Sequence, residues 1–214
     1  MIRHYHAVRE AAKHIAGAIN RSVEALRDGR VEQEPAMTDR MLGKIEESLD
    51  NYRVNGIVWS AKTLTDRGPG TQENRYGADF MGVLNITLPD FHVAKGFLAQ
   101  AKLVRPHERI KLKELRGQCE KMLELSPDSF VFLYSLDDVR VVPALSVLSS
   151  NVDPTELYYR SAQRFFEDHF ECFIGDRNIS VPNSDTLKNL ASKFEARRTI
   201  LLQARDDHSI DPDL

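Results

Sequence analysis

Two short stretches decide how this chain is interpreted: residues 77–80 read Gly-Ala-Asp-Phe, and residues 96–102 read Gly-Phe-Leu-Ala-Gln-Ala-Lys. Both are typical of β-strands, in which side chains alternate between two faces. Gln100 and Lys102 therefore share one face of the second strand, and Ala101 points to the other. Charged and amide side chains seldom interrupt an apolar strand unless a site requires them. This pattern predicts a functional site built from Asp79, Gln100 and Lys102.

The chemistry of these residues favours a divalent cation. Mg²⁺ prefers oxygen ligands and keeps several of its waters. The Asp79 carboxylate, the Gln100 amide oxygen and the backbone carbonyl of Ala101 supply such ligands, and Mn²⁺ is a possible substitute. Lys102 could orient or deprotonate an attacking water, or stabilise developing negative charge. Together these roles are those of a metal-dependent phosphodiesterase site.

A second carboxylate is expected from the helix that precedes the strands. Glu46 lies four residues after Leu42 and three before Leu49, at the border of the apolar helix face, and is the favoured choice. Glu47, on the same helix but pointing away from that face, and Glu73, just ahead of the first site strand, remain open as alternatives.

These residues resemble the motif of the PD-(D/E)XK nuclease superfamily, which has the restriction-endonuclease-like fold. Asp79 matches the first acid, and residues 100–102 (Gln-Ala-Lys) match the tripeptide with Gln in place of the second acid. The Gly-Ala-Asp and Gln-X-Lys pair resembles the Mrr-type branch. The resemblance covers about residues 38–143. It implies an α-β-β-β-α-β core and Mg²⁺-dependent cleavage of DNA, often in restriction or anti-phage defence.

The order of elements predicts an α/β fold with a mixed central sheet. Apolar spacing predicts a long N-terminal helix, and residues 31–36 are interpreted as a linker. The other predicted elements are a helix from Thr38 that ends near Asn55-Gly56, strands 57–61, 78–88 and 95–104, a helix over 111–125, strands 130–134 and 140–143, and helices over 158–173 and 184–205. The predicted domain organisation has three segments. Residues 1–36 form a helical extension, residues 37–150 form the nuclease core, and residues 151–214 form a helical region packed on that core.

The bulk composition restricts the possible locations and partners. The chain has 214 residues and a net charge of −3, so any phosphate-binding surface must be local. The main candidate is the run of basic residues over 102–113, a weaker one is the set at 197, 198 and 205, and the alternative is that both are solvated faces. No apolar run could span a membrane, and the N-terminus lacks the apolar segment of a signal peptide. A cytoplasmic location is expected.

The expected function is therefore a Mg²⁺-dependent DNA endonuclease. We expect DNA as the partner, with a homodimer or a multi-protein defence complex as possible assemblies. The main alternative is a nuclease-fold subunit that binds DNA or a partner protein without cutting. A third is a helical interaction protein in which the sheet is incidental.

Overall fold

The α/β class is confirmed by a computed structural model that describes residues 4–65, 77–180, 187–194 and 196–207. The helices are α1 (Tyr5–Arg27), α2 (Glu34–Ser48), α3 (Leu112–Leu125), α4 (Ala144–Ser149), α5 (Ala162–Phe170) and α6 (Leu187–Lys193). The strands are β1 (Tyr52–Val54), β2 (Ile57–Thr65), β3 (Phe80–Leu88), β4 (Phe91–Leu103), β5 (Ser129–Tyr134), β6 (Val139–Pro143), β7 (Arg160–Ser161) and β8 (Arg198–Asp206). Among the described residues, no helix combines the length and the apolar character that a membrane span requires.

All eight strands form one mixed sheet in the order β1-β2-β8-β3-β4-β5-β6-β7. Strand β8 runs parallel to β3, and β4 runs parallel to β5 with α3 as the crossover between them. The remaining neighbours are antiparallel. The mixed sheet that the sequence predicts is therefore present.

Strand β8 corrects the prediction of a helix over residues 184–205. Of the described residues in this range, Leu187–Lys193 are helical, and the segment Arg198–Asp206 enters the centre of the sheet between β2 and β3. A strand buried on both faces is a short continuous apolar run, which periodicity alone cannot distinguish from a buried helix. Residues 199–202, Thr-Ile-Leu-Leu, are such a run, and all four are buried.

Each face of the sheet carries its own apolar core. The first core joins α1, α2 and α5 to one face and contains a cluster of phenylalanines that includes Phe97, Phe132 and Phe165. The second core joins α3, α4 and α6 to the opposite face. The amphipathic pattern of the first helix is confirmed, since the apolar residues spaced three and four apart along α1 are buried: Val8, Ala12, Ile15, Ile19, Val23 and Leu26.

Helix α2 begins earlier and ends earlier than the sequence predicts. It starts at Glu34 inside the predicted linker, with Pro35 in its first turn, and stops at Ser48. Proline is well suited to the first turn of a helix, because a backbone N–H at that position would have no hydrogen-bond partner within the helix. Asn55 and Gly56, expected at the helix end, instead form the turn of the β1–β2 hairpin, with φ of 50° and 75°.

Candidate active site

The site lies at the start of β3, where the neighbouring strand β4 extends beyond the residues that pair with β3. Strand β3 pairs with β4 from Phe80, opposite Ala99, and the backbone N–H of Asp79 donates to the Ala99 carbonyl at 2.8 Å. In an antiparallel pair, the N–H and C=O of a hydrogen-bonded residue point to the same edge. Ala101 and Leu103 therefore present backbone groups along the edge of β4 that β3 no longer covers.

Asp79 binds the first of these backbone groups. Its Oδ2 accepts hydrogen bonds from the Ala101 N–H, at 3.0 Å, and from the Gln100 side-chain amide. The same Gln100 nitrogen lies 3.3 Å from the Ala101 carbonyl oxygen. Three residues that the sequence singles out, Asp79, Gln100 and Ala101, are therefore in direct contact.

Gly77 explains how Asp79 reaches this position. A Cβ at Gly77 would lie 2.9 Å from the Lys121 Cβ and 3.2 Å from the Met122 nitrogen, so only glycine allows the chain to approach α3 this closely. The close approach fixes the path of the chain two residues before Asp79.

Lys102 shares its face of β4 with Gln100, as the strand alternation predicts. Its ammonium donates to Glu34 Oε1 at 3.2 Å, and Glu34 Oε2 accepts the backbone N–H of Leu103 at 3.0 Å. Lys102 and Glu34 are both mostly buried, with side chains 16% and 27% exposed. The first residue of α2 is thereby fixed to the end of β4.

Two carboxylates thus occupy the open edge of β4. Asp79 binds the N–H of Ala101, and Glu34 binds the N–H of Leu103, so the Ala101 carbonyl lies between them along the strand. Burial raises the pKa of Glu34, the Lys102 ammonium opposes that rise, and the nearby Asp79 carboxylate adds to it. The cation that the structure places against this pair of carboxylates is the Lys102 ammonium, which contacts Glu34.

A network of further hydrogen bonds holds the start of α2 against the sheet beside these residues. The Tyr134 hydroxyl and the Thr38 hydroxyl are 3.1 Å apart, and burial raises the pKa of Tyr134. Arg198, the first residue of β8, donates to Asp39 and to the Pro35 carbonyl. Because Thr38, Asp39 and Pro35 all lie in the first turns of α2, this network fixes the position of Glu34.

The structure does not bring Glu46 to this cluster. Glu46 accepts a hydrogen bond from the Thr63 hydroxyl on β2. It follows Glu34 by twelve residues, or about 18 Å along the helix axis. Glu47 is exposed and forms an ion pair with Lys44 at 2.6 Å, and Glu73 lies outside the described residues.

Sequence reasoning missed Glu34 because residues 31–36 were interpreted as a linker. The available signal was an acid directly before Pro35, since acidic residues and proline are both favoured in the first turn of a helix. That pattern indicates where the helix begins. It does not indicate that the acid reaches the neighbouring strand.

The arrangement fits a hard divalent cation in its donor set. Asp79 supplies a carboxylate, Ala101 a carbonyl oxygen and Glu34 a second carboxylate, which are the ligand types that Mg²⁺ prefers. Within the described ranges, no group of three or more His, Cys, Asp or Glu side chains could hold a metal. The Gln100 amide turns its nitrogen toward Asp79 and Ala101. Gln100 must rotate its amide to offer the oxygen that the sequence predicts as a ligand.

Comparisons of this chain with protein-family models, with curated proteins and with solved structures gave no significant match.

Proposed function

We propose that this protein is a Mg²⁺-dependent DNA endonuclease that hydrolyses phosphodiester bonds. The observation that carries the proposal is the direct contact of Asp79 with Gln100 and Ala101, with Lys102 on the same strand face as Gln100. Asp79 lies 21 residues before Gln100 in the chain, and the turn into β3 brings the two level with each other. The resemblance to the Mrr-type branch supports DNA as the substrate and restriction or anti-phage defence as the setting.

Each residue has a role that follows from its atoms. Asp79 and the Ala101 carbonyl would hold the cation, with Glu34 as a second carboxylate in place of Glu46. The bound cation supplies charge neutralisation for the phosphate and a more acidic water. Lys102, held in place by Glu34, donates a hydrogen bond toward the reacting phosphate or its attacking water. Gln100 positions Asp79 through its amide nitrogen and could become a ligand after amide rotation.

A plasmid-cleavage assay tests this proposal. We expect the purified protein to nick or linearise plasmid DNA with Mg²⁺ or Mn²⁺ and to leave it intact with EDTA. Asp79→Ala and Lys102→Ala should both abolish cleavage while thermal unfolding stays cooperative. Asp50→Ala, in the turn that follows α2, and Lys44→Ala, near the C-terminal end of α2, serve as matched controls and should retain activity. Full activity of either site variant would contradict the assignment.

A second candidate function is a subunit that binds DNA or a partner protein without cutting. The observation that favours it is that the polar groups of Gln100 and Lys102 are already satisfied by Asp79 and Glu34. Gln at position 100 also supplies one negative charge fewer than an acid. Metal-independent DNA binding without any cleavage, in Mg²⁺ or Mn²⁺, would support this candidate over the enzyme.

A further inference from the structure

The connection from β4 into α3 is strongly basic in an otherwise acidic chain. Residues 104–113, named here the basic loop, contain four Lys or Arg side chains and one Glu, for a net charge of +3. The remaining residues contain 25 basic and 31 acidic side chains, for a net charge of −6. A local positive surface of this kind attracts polyanions even when the whole protein is acidic.

Three of the basic side chains have no acidic partner among the residues that the structure describes. Arg109, Lys111 and Lys113 are exposed, and within the described part of the chain none of them forms an ion pair or a side-chain hydrogen bond. The other basic candidate from the sequence differs, because Arg198 is only 11% exposed and is paired with Asp39. The basic loop is therefore the better site for phosphate groups.

The beginning of the loop is held in a fixed conformation. The Val104 N–H donates to the Tyr134 carbonyl at 2.7 Å, and the Arg105 guanidinium donates to the Glu32 carbonyl at 2.7 Å. The Glu108 N–H closes a turn on the Arg105 carbonyl at 3.2 Å, and His107 in that turn has a φ of 67°. Because Val104 is two residues from Lys102, this turn keeps the start of the loop beside the candidate active site.

The lysines also occupy positions that do not benefit the fold. Lys111 is the residue that precedes the first turn of α3, and Lys113 lies within that turn. The N-terminus of a helix carries partial positive charge and favours acidic side chains. Cations at this position oppose helix stability. Binding of a negatively charged partner therefore explains these two lysines better than a contribution to the fold does.

We infer that the basic loop binds the phosphate backbone of double-stranded DNA and directs it to the candidate active site. The inference deepens the proposed function and rests on it for the identity of the polyanion. Duplex DNA fits better than single-stranded DNA because residues 104–113 contain no Phe, Tyr or Trp on which unpaired bases could stack. Binding through lysine and arginine to phosphates is independent of base sequence.

Fluorescence anisotropy with a labelled duplex, in EDTA so that no cleavage occurs, tests the inference. The variant Arg109→Gln/Lys111→Gln/Lys113→Gln should bind about tenfold or more weakly and lower the slope of log affinity against log salt by about 2.7. The control Lys13→Gln/Lys44→Gln/Arg53→Gln removes the same charge from α1, α2 and β1, and should bind like wild type. Equal affinity and salt slope for the loop variant and wild type would overturn the inference.

A variant with a single charge reversal tests whether misfolding, rather than lost phosphate contacts, causes weaker duplex binding. Lys113→Glu places an acid in the first turn of α3, where it should raise or preserve the melting temperature while weakening duplex binding. Retained duplex affinity in this well-folded variant would also overturn the inference.

The outcomes separate this inference from the proposed function. Loop-dependent duplex binding without cleavage in Mg²⁺ or Mn²⁺ would support the loop and reject the nuclease. Cleavage that survives the loop triple variant with unchanged affinity would support the nuclease and reject the loop. A wild-type protein that neither binds nor cuts the duplex would reject both.

Discussion

The two ends of helix α2 meet the sheet in different chemical settings. At its first residue, Glu34 binds the Lys102 ammonium and the Leu103 backbone at the open edge of β4. Near its last turn, Glu46 binds a single hydroxyl, that of Thr63 on β2. Two acids of one helix thus differ in their partners and in their position along the helix axis. Position along a helix axis therefore matters as much as the face on which a residue lies.

The largest expected effect comes from removing the charge of Glu34 at the start of α2. The same change at Glu46, near the other end of the helix, is its control. We expect Glu34→Gln to lower Mg²⁺-dependent cleavage by about 100-fold or more, because it removes a charge that acts on Lys102 and on the proposed cation. Glu46→Gln removes the same charge from the same helix and should cleave at close to the wild-type rate. Rates on plasmid DNA for the two variants measure the difference. A larger loss in Glu46→Gln would reverse the comparison.

A charge added at position 100 sharpens the account of the Glu34 end. Gln100→Glu supplies a third carboxylate beside Asp79 and Glu34, so the Mg²⁺ concentration for half-maximal cleavage should fall by about tenfold. A magnesium titration of the cleavage rate measures this concentration. The neutral variant Gln100→Met, which cannot ligate Mg²⁺ through oxygen, should shift it in the opposite direction. An unchanged midpoint in Gln100→Glu would place the cation away from this residue.

The pH dependence of stability tests the electrostatics of the same end. Burial and Asp79 hold the pKa of Glu34 above its ordinary value. The folded state therefore binds the proton of this carboxyl more tightly than the unfolded state does. The resulting stabilisation is complete below the unfolded pKa and is lost as pH rises through the folded pKa.

The melting temperature of wild type relative to Glu34→Gln should accordingly fall as pH rises from about 4 to 7. Differential scanning calorimetry of the two proteins across this range measures the difference. A relative melting temperature that rises with pH would show that Lys102 outweighs burial at Glu34.

The smallest expected effect lies at the Glu46 end. Thr63→Val removes the hydroxyl that donates to Glu46 and should lower the free energy of unfolding by about 1 kcal/mol. Cleavage should be unchanged, because the contact secures the end of α2 remote from Lys102. Urea denaturation and the plasmid assay together check both statements. A strong loss of cleavage in a folded Thr63→Val protein would connect this end to the site.

The sequence predicts much of the sheet and of the site because both depend on local alternation. Strands β3, β4 and β5 are found where β-prone apolar runs predict them, and Gln100 and Lys102 share one face because side chains alternate. The contact of Asp79 with residue 101 follows from the turn into β3, whose start the sequence places two residues early.

What the sequence could not predict depends on contacts between distant segments. Strand β8 enters the sheet between β2 and β3, and its buried apolar run gives no signal that separates it from a helix. Glu34 reaches Lys102 and Leu103 only because α2 starts four residues earlier than expected and lies against the end of β4. A helical wheel assigns Glu46 to a face, but it does not say which end of the helix reaches Lys102.

The most direct test is a crystal structure of the protein soaked with Mn²⁺, read by anomalous scattering. We predict an anomalous peak in direct coordination with the Asp79 carboxylate and the Ala101 carbonyl, with Glu34 on the opposite side. A peak bound elsewhere, or well-ordered side chains at this edge of β4 with no anomalous signal, would contradict the account.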